Sequence, residues 1–539
     1  MLPCIRHIST LLASNAQRQT IYALSTPPGK GGVAIVRVSG PDARLVWDNM
    51  VRSYAPNKPI KDPIPWKLHR CHIVHPQNKS LIDDGLAVYF RPPYSYTTHP
   101  TVELHIHSGR ALISALLSSL STLPTLRPAE PGEFTRQALL GGRLDLTQVE
   151  GLHDLIEADT EVQRVWALSS AAGETRAEYD SLRSQIIHCL AQVEALIDFG
   201  EGEDIEEGVY EQARSQATDL LSQIQKHLSD NRRGEVIRSG IKMAIFGPPN
   251  AGKSSLFNFL ANRPASIVTP IPGTTRDVLE LTLDIGGLPV VVADTAGLRE
   301  TKDLVEGIGV QRGVEAVKNA DIGLCVLPFP EVLITQSSSP SHHQLHLQIP
   351  PSIQPLITPR TFFLLNKSDL VTHILPPALS TASSFSISHP FPHPNAQSHQ
   401  AYPTTHLQLI PTPTNTIEVQ NLNTSGSSFH SQAWSTSLVT NQGTHEFVQG
   451  LADALKSRFN INNQTISKTH APLITRARHR VHLESACRFL KAFLDTPSSD
   501  IVLAAEELRY AAQAIGRVTG EIGTEDVLDA LFKGFCIGK

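Results

Sequence analysis

Charge is scarce in this sequence. Only 18% of the 539 residues are Asp, Glu, Lys or Arg, and 51 acids against 46 bases leave a formal net charge of -5. A nucleic-acid partner cannot be argued from that balance, so any RNA contact must come from a local patch. Cysteine is sparse too: Cys4, Cys71, Cys189, Cys325, Cys487 and Cys536 lie far apart, with no CxxC pair. This spacing argues against a zinc site or a disulfide framework and suits reduced thiols. No apolar run reaches the length of a bilayer span, so stable membrane insertion is not expected. Acids are missing from the start of the chain. None precedes Asp42, while Arg6, Arg18 and several Ser and Thr fall in the first 20 residues. A basic, hydroxyl-rich, acid-free start reads as a mitochondrial transit segment over 1–19, the alternative being an N-terminus that is not cleaved.

What is present suffices for two to four domains. Residues 20–140 mix short apolar alternations, at 34–38 and 101–106, with Gly/Pro punctuation, which predicts a small α+β domain. Residues 141–237 read as helical, with Leu182, Ile186, Leu190, Val193 and Ile197 at three- and four-residue spacing. Residues 238–465 alternate strands and helices, as a parallel α/β sheet does. Over 466–539 the helical pattern returns through Leu483, Ala486 and Leu490, then Leu503, Leu508, Ala512 and Ile515. The simplest arrangement is an α/β domain inserted between two segments of one helical domain. Residues 332–359 carry no Lys, Arg, Asp or Glu, and between Leu370 and His445 the only charged residue is Glu418. Text so rich in Ser, Pro, Thr, His and Gln buries too little apolar surface to order itself. Disordered insertions are therefore expected near 331–360 and 370–430.

The chemistry concentrates in the α/β region. An apolar strand over 241–246 runs into Gly247-Pro-Pro-Asn-Ala-Gly-Lys-Ser254 and then an amphipathic helix. This is a complete phosphate loop in its strand–loop–helix context. Its backbone N–H groups wrap phosphates, Lys253 reaches the β- and γ-phosphates, and the Ser254 hydroxyl meets Mg²⁺. A second strand, 288–293, ends in Asp294-Thr-Ala-Gly297, where a carboxylate can hold the metal through water and Gly297 can turn its N–H to the γ-phosphate. A third, 361–365, ends in Asn366-Lys-Ser-Asp369; the Asp369 carboxylate can accept from guanine N1–H and its exocyclic amine, a pair adenine lacks. Gly273-Thr-Thr-Arg-Asp277 lies between loop and second strand, and Thr275 is assigned to the Mg²⁺ shell. In this order the four elements predict a GTP hydrolase. Leu298 follows the second motif where Ras-like enzymes carry the water-orienting Gln. An apolar side chain cannot orient water, so that task falls elsewhere.

Nearly the whole chain outside the two insertions resembles the MnmE (TrmE) family of tRNA modification GTPases. Besides the four motifs, the resemblance rests on Thr26-Pro-Pro-Gly-Lys-Gly-Gly-Val, Arg37-Val-Ser-Gly-Pro41, Val102-Glu-Leu-His-Ile-His-Ser-Gly109, Pro131-Gly-Glu-Phe-Thr135, Gly142-Arg-Leu-Asp-Leu146 and Phe535-Cys-Ile-Gly-Lys539. It implies an N-terminal domain that dimerises and binds a tetrahydrofolate, 5,10-methylene or 5-formyl, through Arg37, Glu103, Arg143 and Lys539. Arg143 departs from the family's usual Lys, keeping the charge but changing its geometry. Tyr96-Thr-Thr-His-Pro-Thr also departs, where the family reads Gly-Glu-Asp. The resemblance further implies K⁺ in place of an arginine finger, held by Asn250 and the carbonyls of Thr269, Ile271 and Thr274. Glu306 matches the water-orienting residue, and Arg299 and the Arg276/Asp277 pair match switch residues. GTP contacts are implied at Asn250 to Ser255 (Asn250, Ala251, Gly252, Lys253, Ser254, Ser255), Thr269, Thr274, Thr275, and Asp294, Thr295, Ala296 and Gly297. At the base they fall on Asn366, Lys367 and Asp369, and on Ser435, Thr436 and Ser437, where the family usually has Ser-Ala. An FAD-containing MnmG-type partner, tRNA, a homodimer and a mitochondrial-matrix setting are implied with them.

Plainer readings stand beside some of these residues. Gly29-Lys-Gly-Gly is followed by a strand and reads as a tight turn. His105 and His107 share a strand face with Glu103 and read as packing or pocket residues rather than metal ligands. Arg476, Arg478, Arg480 and Arg488 suit either a tRNA contact or a solvated helix face. Cys536 reads as a reactive thiol beside folate or as a tail residue. Two rival functions remain: a switch GTPase in ribosome assembly, and a stand-alone folate-dependent aminomethyl transferase. The first has no use for the Arg37, Glu103 and Lys539 set, the second none for 241–460.

Overall fold

The computed structural model describes residues 20–54, 60, 62–199, 208–230, 232–263, 266–267, 280–293, 315–339, 342–371, 384–390, 406–411, 428–461, 471–520 and 538. The expected transit segment lies outside them. The chain divides into two compact units, one of residues 1–153, 170–222 and 481–539, the other of 154–169 and 223–480.

In the first unit, period-two alternation builds a seven-stranded sheet. Its strands are β1 (Thr20–Leu24), β2 (Gly31–Ser39), β3 (Val51–Ser53), β4 (His69–Val74), β5 (Leu81–Phe90), β6 (Thr101–Ser108) and β7 (Leu126–Pro128), in the order β3-β4-β5-β6-β2-β1-β7. All neighbours are antiparallel except β1 and β7. One phase of the alternation, Ala34, Val36 and Val38 with Val102, Leu104 and Ile106, is buried with Trp47 and Met50 of α1 (Ala43–Met50) and Leu116 and Leu120 of α2 (Arg110–Ser121). The other phase puts Arg37, Glu103 and His105 on the opposite face, where Phe134 of α3 (Glu133–Leu140) packs with Ile21 and Ala23. A sheet with an apolar face and a mixed face leaves its ionised groups on the second.

The helical sequence folds into α4 (Leu146–Ile156), α5 (Glu161–Ala171), α6 (Glu174–Phe199), α7 (Val209–Leu228) and α8 (Arg233–Ser239). The buried stripe of α6 is Tyr179, Leu182, Ile186, Cys189 and Val193; Leu190 is half-buried and Ile197 is exposed. A 3.6-residue period lets 189 serve as well as 190, and burial selects the smaller Cys189. Within this unit α6 packs against the late helix over 501–519.

The second unit holds an eleven-stranded sheet. Its strands are β8 (Ile241–Phe246), β9 (Ser266–Ile267), β10 (Glu280–Ile285), β11 (Leu288–Ala293), β12 (Ile322–Pro328), β13 (Leu333–Ser339), β14 (His342–Gln348), β15 (Thr361–Asn366), β16 (Ser384–Pro390), β17 (His406–Pro411) and β18 (Ser428–Ser435). Their order is β13-β14-β17-β16-β18-β15-β12-β8-β11-β10-β9. Five central strands, β18-β15-β12-β8-β11, are mutually parallel, and β10 joins them antiparallel. Both faces are covered, as all-buried runs such as Ile322–Pro328 and Thr361–Asn366 require. One core gathers Leu256 and Leu260 of α9 (Lys253–Ala261) with Phe447 and Leu451 of α10 (Thr444–Arg458). The other gathers Phe329, Phe363 and Leu365. Helices α11 (Ala477–Asp495) and α12 (Ile501–Thr519) follow.

The expected disorder of the two insertions is corrected over four segments, since β13, β14, β16 and β17 extend the sheet beyond β18 as antiparallel neighbours. Composition measures the apolar surface a segment can bury, but a strand added to an edge is held by its backbone bonds. The register also lines up the few apolar residues: Ile387 opposite Leu409, Leu409 opposite Leu345, and Leu407 opposite Leu347. Residues 372–383, 391–405 and 412–427 lie outside the described set.

Candidate functional site

The phosphate loop is built from backbone conformations that side chains resist. Gly247, Asn250 and Gly252 have φ of 153, 59 and 99°. A Cβ on Gly247 would stand 2.1 Å from the Val326 carbonyl oxygen, and one on Gly252 would stand 2.1 Å from Asn366 Nδ2. The strand–loop–helix passage therefore admits only glycine at these two points. It leads into α9 at Lys253, where unpaired N–H groups of a helix start favour an anion. Lys253 Nζ donates to the carbonyls of Gly247 (3.1 Å) and Pro248 (2.8 Å), its amine already lying over the loop. Burial lowers the Lys253 pKa, and the Cys325 thiol beneath it opposes the shift. Ala251 is buried, whereas Asn250, Ser254 and Ser255 face solvent.

The Asn366–Asp369 segment is tied directly to this loop. Asn366, at the end of β15 and only 4% exposed, donates from Nδ2 to the Ala251 carbonyl at 2.9 Å. Its Oδ1 accepts from the Leu438 N–H at 3.3 Å. Thr436 N–H donates to Leu365 O, and Ser368 N–H donates to Thr436 O. Asn366–Asp369 and Ser435–Ser437 are thereby brought side by side, with Thr436 and Ser437 fully buried. Lys367 takes a left-handed φ of 66° that turns the chain into the Ser368–Leu370 turn carrying Asp369. Sequence reasoning named these residues but missed the Asn366–Ala251 bond, which joins positions 115 apart.

A second polar cluster lies on the mixed face of the first sheet. Arg37 and Glu103 are register partners on β2 and β6, and Arg37 Nε donates to Glu103 Oε1 at 2.8 Å. His105 Nε2 stands 3.7 Å from Glu103 Oε2. Burial would raise the Glu103 pKa, but His105 and Arg37 outweigh it, holding the carboxyl below its ordinary value of 4.5. The Arg37 guanidinium lies 5.4 Å from the Tyr96 ring centroid and 5.7 Å from that of Phe134, two neighbours not singled out as site residues. Their signal was the Phe134 motif and the departing 96–101 loop. The Tyr96 hydroxyl shares a 2.9 Å bond with Thr135, and burial raises its pKa against the opposing charges of Arg37 and Arg143. Arg143 is exposed and donates to Tyr94 O at 3.4 Å. Ser25 Oγ donates to the Gly538 carbonyl at 3.0 Å, which places Gly538 at the end of β1.

Other candidates are placed differently. Thr269, Ile271, Thr274, Thr275, Arg276, Asp277, Asp294, Thr295, Ala296, Gly297, Leu298, Arg299, Glu306, Cys536 and Lys539 lie outside the described residues. The basic run does not form one surface: Arg476 pairs with Asp154 at 2.6 Å, and Arg480 with Asp230 (3.2 Å) and Glu235 (3.1 Å). With 14 and 16% exposure, these two guanidinia hold the fold and are not presented to RNA. His107 pairs with Asp83 at 3.0 Å, and among the described residues no group of three or more His, Cys, Asp or Glu is arranged for a metal.

Comparison with known proteins covers both units. A family model for the GTP-binding protein TrmE N-terminus matches residues 20–143, and one for the MnmE helical domain matches 146–536. The chain is 40% identical over 522 residues to the Danio rerio protein named 5-taurinomethyluridine-[tRNA] synthase subunit GTPB3, mitochondrial, covering 96% of this chain and 93% of that protein. It is 38% identical over 524 residues to the tRNA modification GTPase MnmE of Parvibaculum lavamentivorans, covering 97 and 100%. With the tRNA modification GTPase gtpbp3, mitochondrial, of Dictyostelium discoideum it shares 35% over 527 residues, covering 97 and 95%.

Proposed function

The chain belongs to the MnmE family of tRNA modification GTPases, and from that membership we propose that it spends GTP to help install a carboxymethylaminomethyl-type group at C5 of the wobble uridine in mitochondrial tRNA. The observation that carries the hydrolytic half is the Asn366–Ala251 hydrogen bond, which fixes the base-reading loop to the phosphate loop. In this reading the amides of 247–252 receive the phosphates, and Lys253 exchanges the Gly247 and Pro248 carbonyls for phosphate oxygens. Asp369 selects guanine, backed by Ser435–Ser437. Ser254 and Thr275 would hold Mg²⁺, and Asn250, Thr269, Ile271 and Thr274 would hold K⁺. A bound cation supplies positive charge where it develops in the transition state. Glu306 orients water in place of the Gln that Leu298 replaces, and Arg299 belongs to the same switch.

The mixed sheet face fits a folate head. Glu103 is kept ionised and offers Oε2 as an acceptor to a ring N–H and amine, while Arg37 stays fixed by the same carboxylate. Arg143 and Lys539 would complete the set, and Cys536 is the candidate thiol. A tetrahydrofolate derivative would supply the one-carbon unit when bound. The wider reading has the GTPase domain inserted in the helical domain, a homodimer through the N-terminal domain, an FAD-containing MnmG-type partner and a mitochondrial-matrix setting. Mass spectrometry of wobble nucleosides from mitochondrial tRNA, with and without this protein, tests it. Loss of the C5 group on depletion is the expected result. Unchanged nucleosides, with ribosome assembly impaired and no folate bound, would favour the switch GTPase instead.

A further inference from the structure

Glu331 is the last charged residue before the charge-free run over 332–359. It sits in a short helical turn, Phe329–Val332, whose Phe329 and Val332 are 1 and 2% exposed. Those two side chains belong to the core that also holds Phe363, Leu365 and Val371. This anchors the turn to β15 and to the Ser368–Leu370 turn that it contacts. Glu331 itself points outward, and its Oε1 stands 3.6 Å from Lys367 Nζ. Lys367 occupies the left-handed position between Asn366, which bonds to the phosphate loop, and Asp369, which reads the base.

We propose that Glu331 is a positioning residue for the guanine site, pinning the Lys367 ammonium so that the lysine stem is already laid along the base. A free lysine side chain carries rotamer entropy that binding must overcome, and a fixed tip removes part of that cost. Side-chain exposures of 65% for Glu331 and 32% for Lys367 make this a partly solvated pair. Its effect is therefore bounded at about two- to five-fold in affinity and is sensitive to salt. The effect acts on the base end, so it is the same for GDP and GTP and leaves the transition state alone. Phe329 and Val332 set the position of Glu331 from within the core, so the pair does not depend on the hairpin that follows.

The inference rests on the GTPase reading, and the two are separable in one experiment. Fluorescent mant-GDP and mant-GTP are titrated into the full chain, into Glu331→Gln and into Glu331→Asp, at about 0.05 M and about 0.5 M salt. Steady-state GTP turnover is measured alongside, and circular dichroism confirms folding. The expected result is a Kd raised about two- to five-fold in Glu331→Gln by the same factor for both nucleotides. The shift should shrink at high salt and be partly restored in Glu331→Asp, with kcat unchanged. Equal affinities at low salt overturn the proposal. So does tighter binding by Glu331→Gln, which would mean that Glu331 competes with nucleotide for the ammonium. A fall in kcat at unchanged Kd overturns it as well. A parent chain that binds neither nucleotide would remove the GTPase reading itself.

Discussion

The 247–252 loop and the Arg37–Glu103 face, the proposed nucleotide and folate sites, are built from different parts of the chain. At 247–252 the groups on offer are main-chain amides, and the shape of the loop comes from glycines pressed against Val326 O and Asn366 Nδ2. On the mixed face of β2 and β6 the groups are side chains, set opposite each other by strand register and pinned by an ion pair. A backbone site tolerates almost no change at its glycines but is indifferent to many side chains around it. A side-chain site can be retuned residue by residue, as Arg143 and the 96–101 loop illustrate.

The largest effect should come from the part of the nucleotide site that is not backbone amide. Replacing K⁺ with Na⁺ is expected to lower kcat by a large part of the roughly 10³–10⁵-fold that an arginine finger supplies, with little change in GTP affinity. Glu306→Ala should lower kcat even in saturating K⁺, because water loses its orienting group while the charge partner stays. Stopped-flow binding and steady-state hydrolysis in both salts separate the two. Equal turnover in Na⁺ and K⁺ together with full activity of Glu306→Ala would leave only a generic GTPase.

Next in size is Gly252→Ala. The new methyl meets Asn366 at a left-handed position, so nucleotide affinity should fall by about 10- to 100-fold while the circular dichroism spectrum holds. Unchanged mant-GTP binding would show that the loop flexes, and the contrast between the sites would weaken.

Glu103→Gln probes the other side. Arg37 would lose its ionic partner at a site whose side chains are 22 and 14% exposed, a loss of about 1–2 kcal/mol of stability together with weakened folate binding. The sign with pH follows from a folded-state carboxyl held below its unfolded value. The stabilisation is complete above the ordinary value of 4.5 and disappears as pH falls through the lower folded value. Thermal melts of parent and variant should therefore differ at neutral pH and converge in acid. A difference that persists in acid would mean that packing, not charge, holds the face.

The smallest effect is expected from shortening the β13–β14 hairpin by replacing 336–343 with a short Gly/Ser turn. Turnover and nucleotide affinity should stay within about two-fold, since Glu331, Phe329 and Val332 remain. A larger loss, measured by GTPase assay and thermal melt, would place the hairpin in the working part of the domain.

Legibility followed the range of the interaction. The phosphate loop, the strand before it and Asn366–Asp369 could be read because each is a local pattern with a local cause. The Asn366–Ala251 bond could not, because nothing near 366 says that 251 is its neighbour. Arg476 and Arg480 misled for the same reason. Their carboxylates are Asp154, Asp230 and Glu235, hundreds of residues earlier, so a run of basic residues looked like a surface. Cys189 in place of Leu190 was hidden by the tolerance of the helical period. The strands over 384–390 and 406–411 escaped notice because composition speaks of hydration and says little about backbone pairing.

The added strands also decide where this sheet could recruit another chain. Without them β18 would be the outermost strand, and its unpaired N–H and C=O groups would run through Trp434 straight into the Ser435–Ser437 segment. With β16, β17, β14 and β13 in place, that row of groups is spent within the molecule. Among the described residues, the edge on this side has moved to Leu333–Ser339, four strand spacings or roughly 19 Å away, while the opposite edge is the two-residue β9. A strand added along the longer edge would therefore pair with a hydroxyl-rich border and not with the strand that leads into Ser435–Ser437.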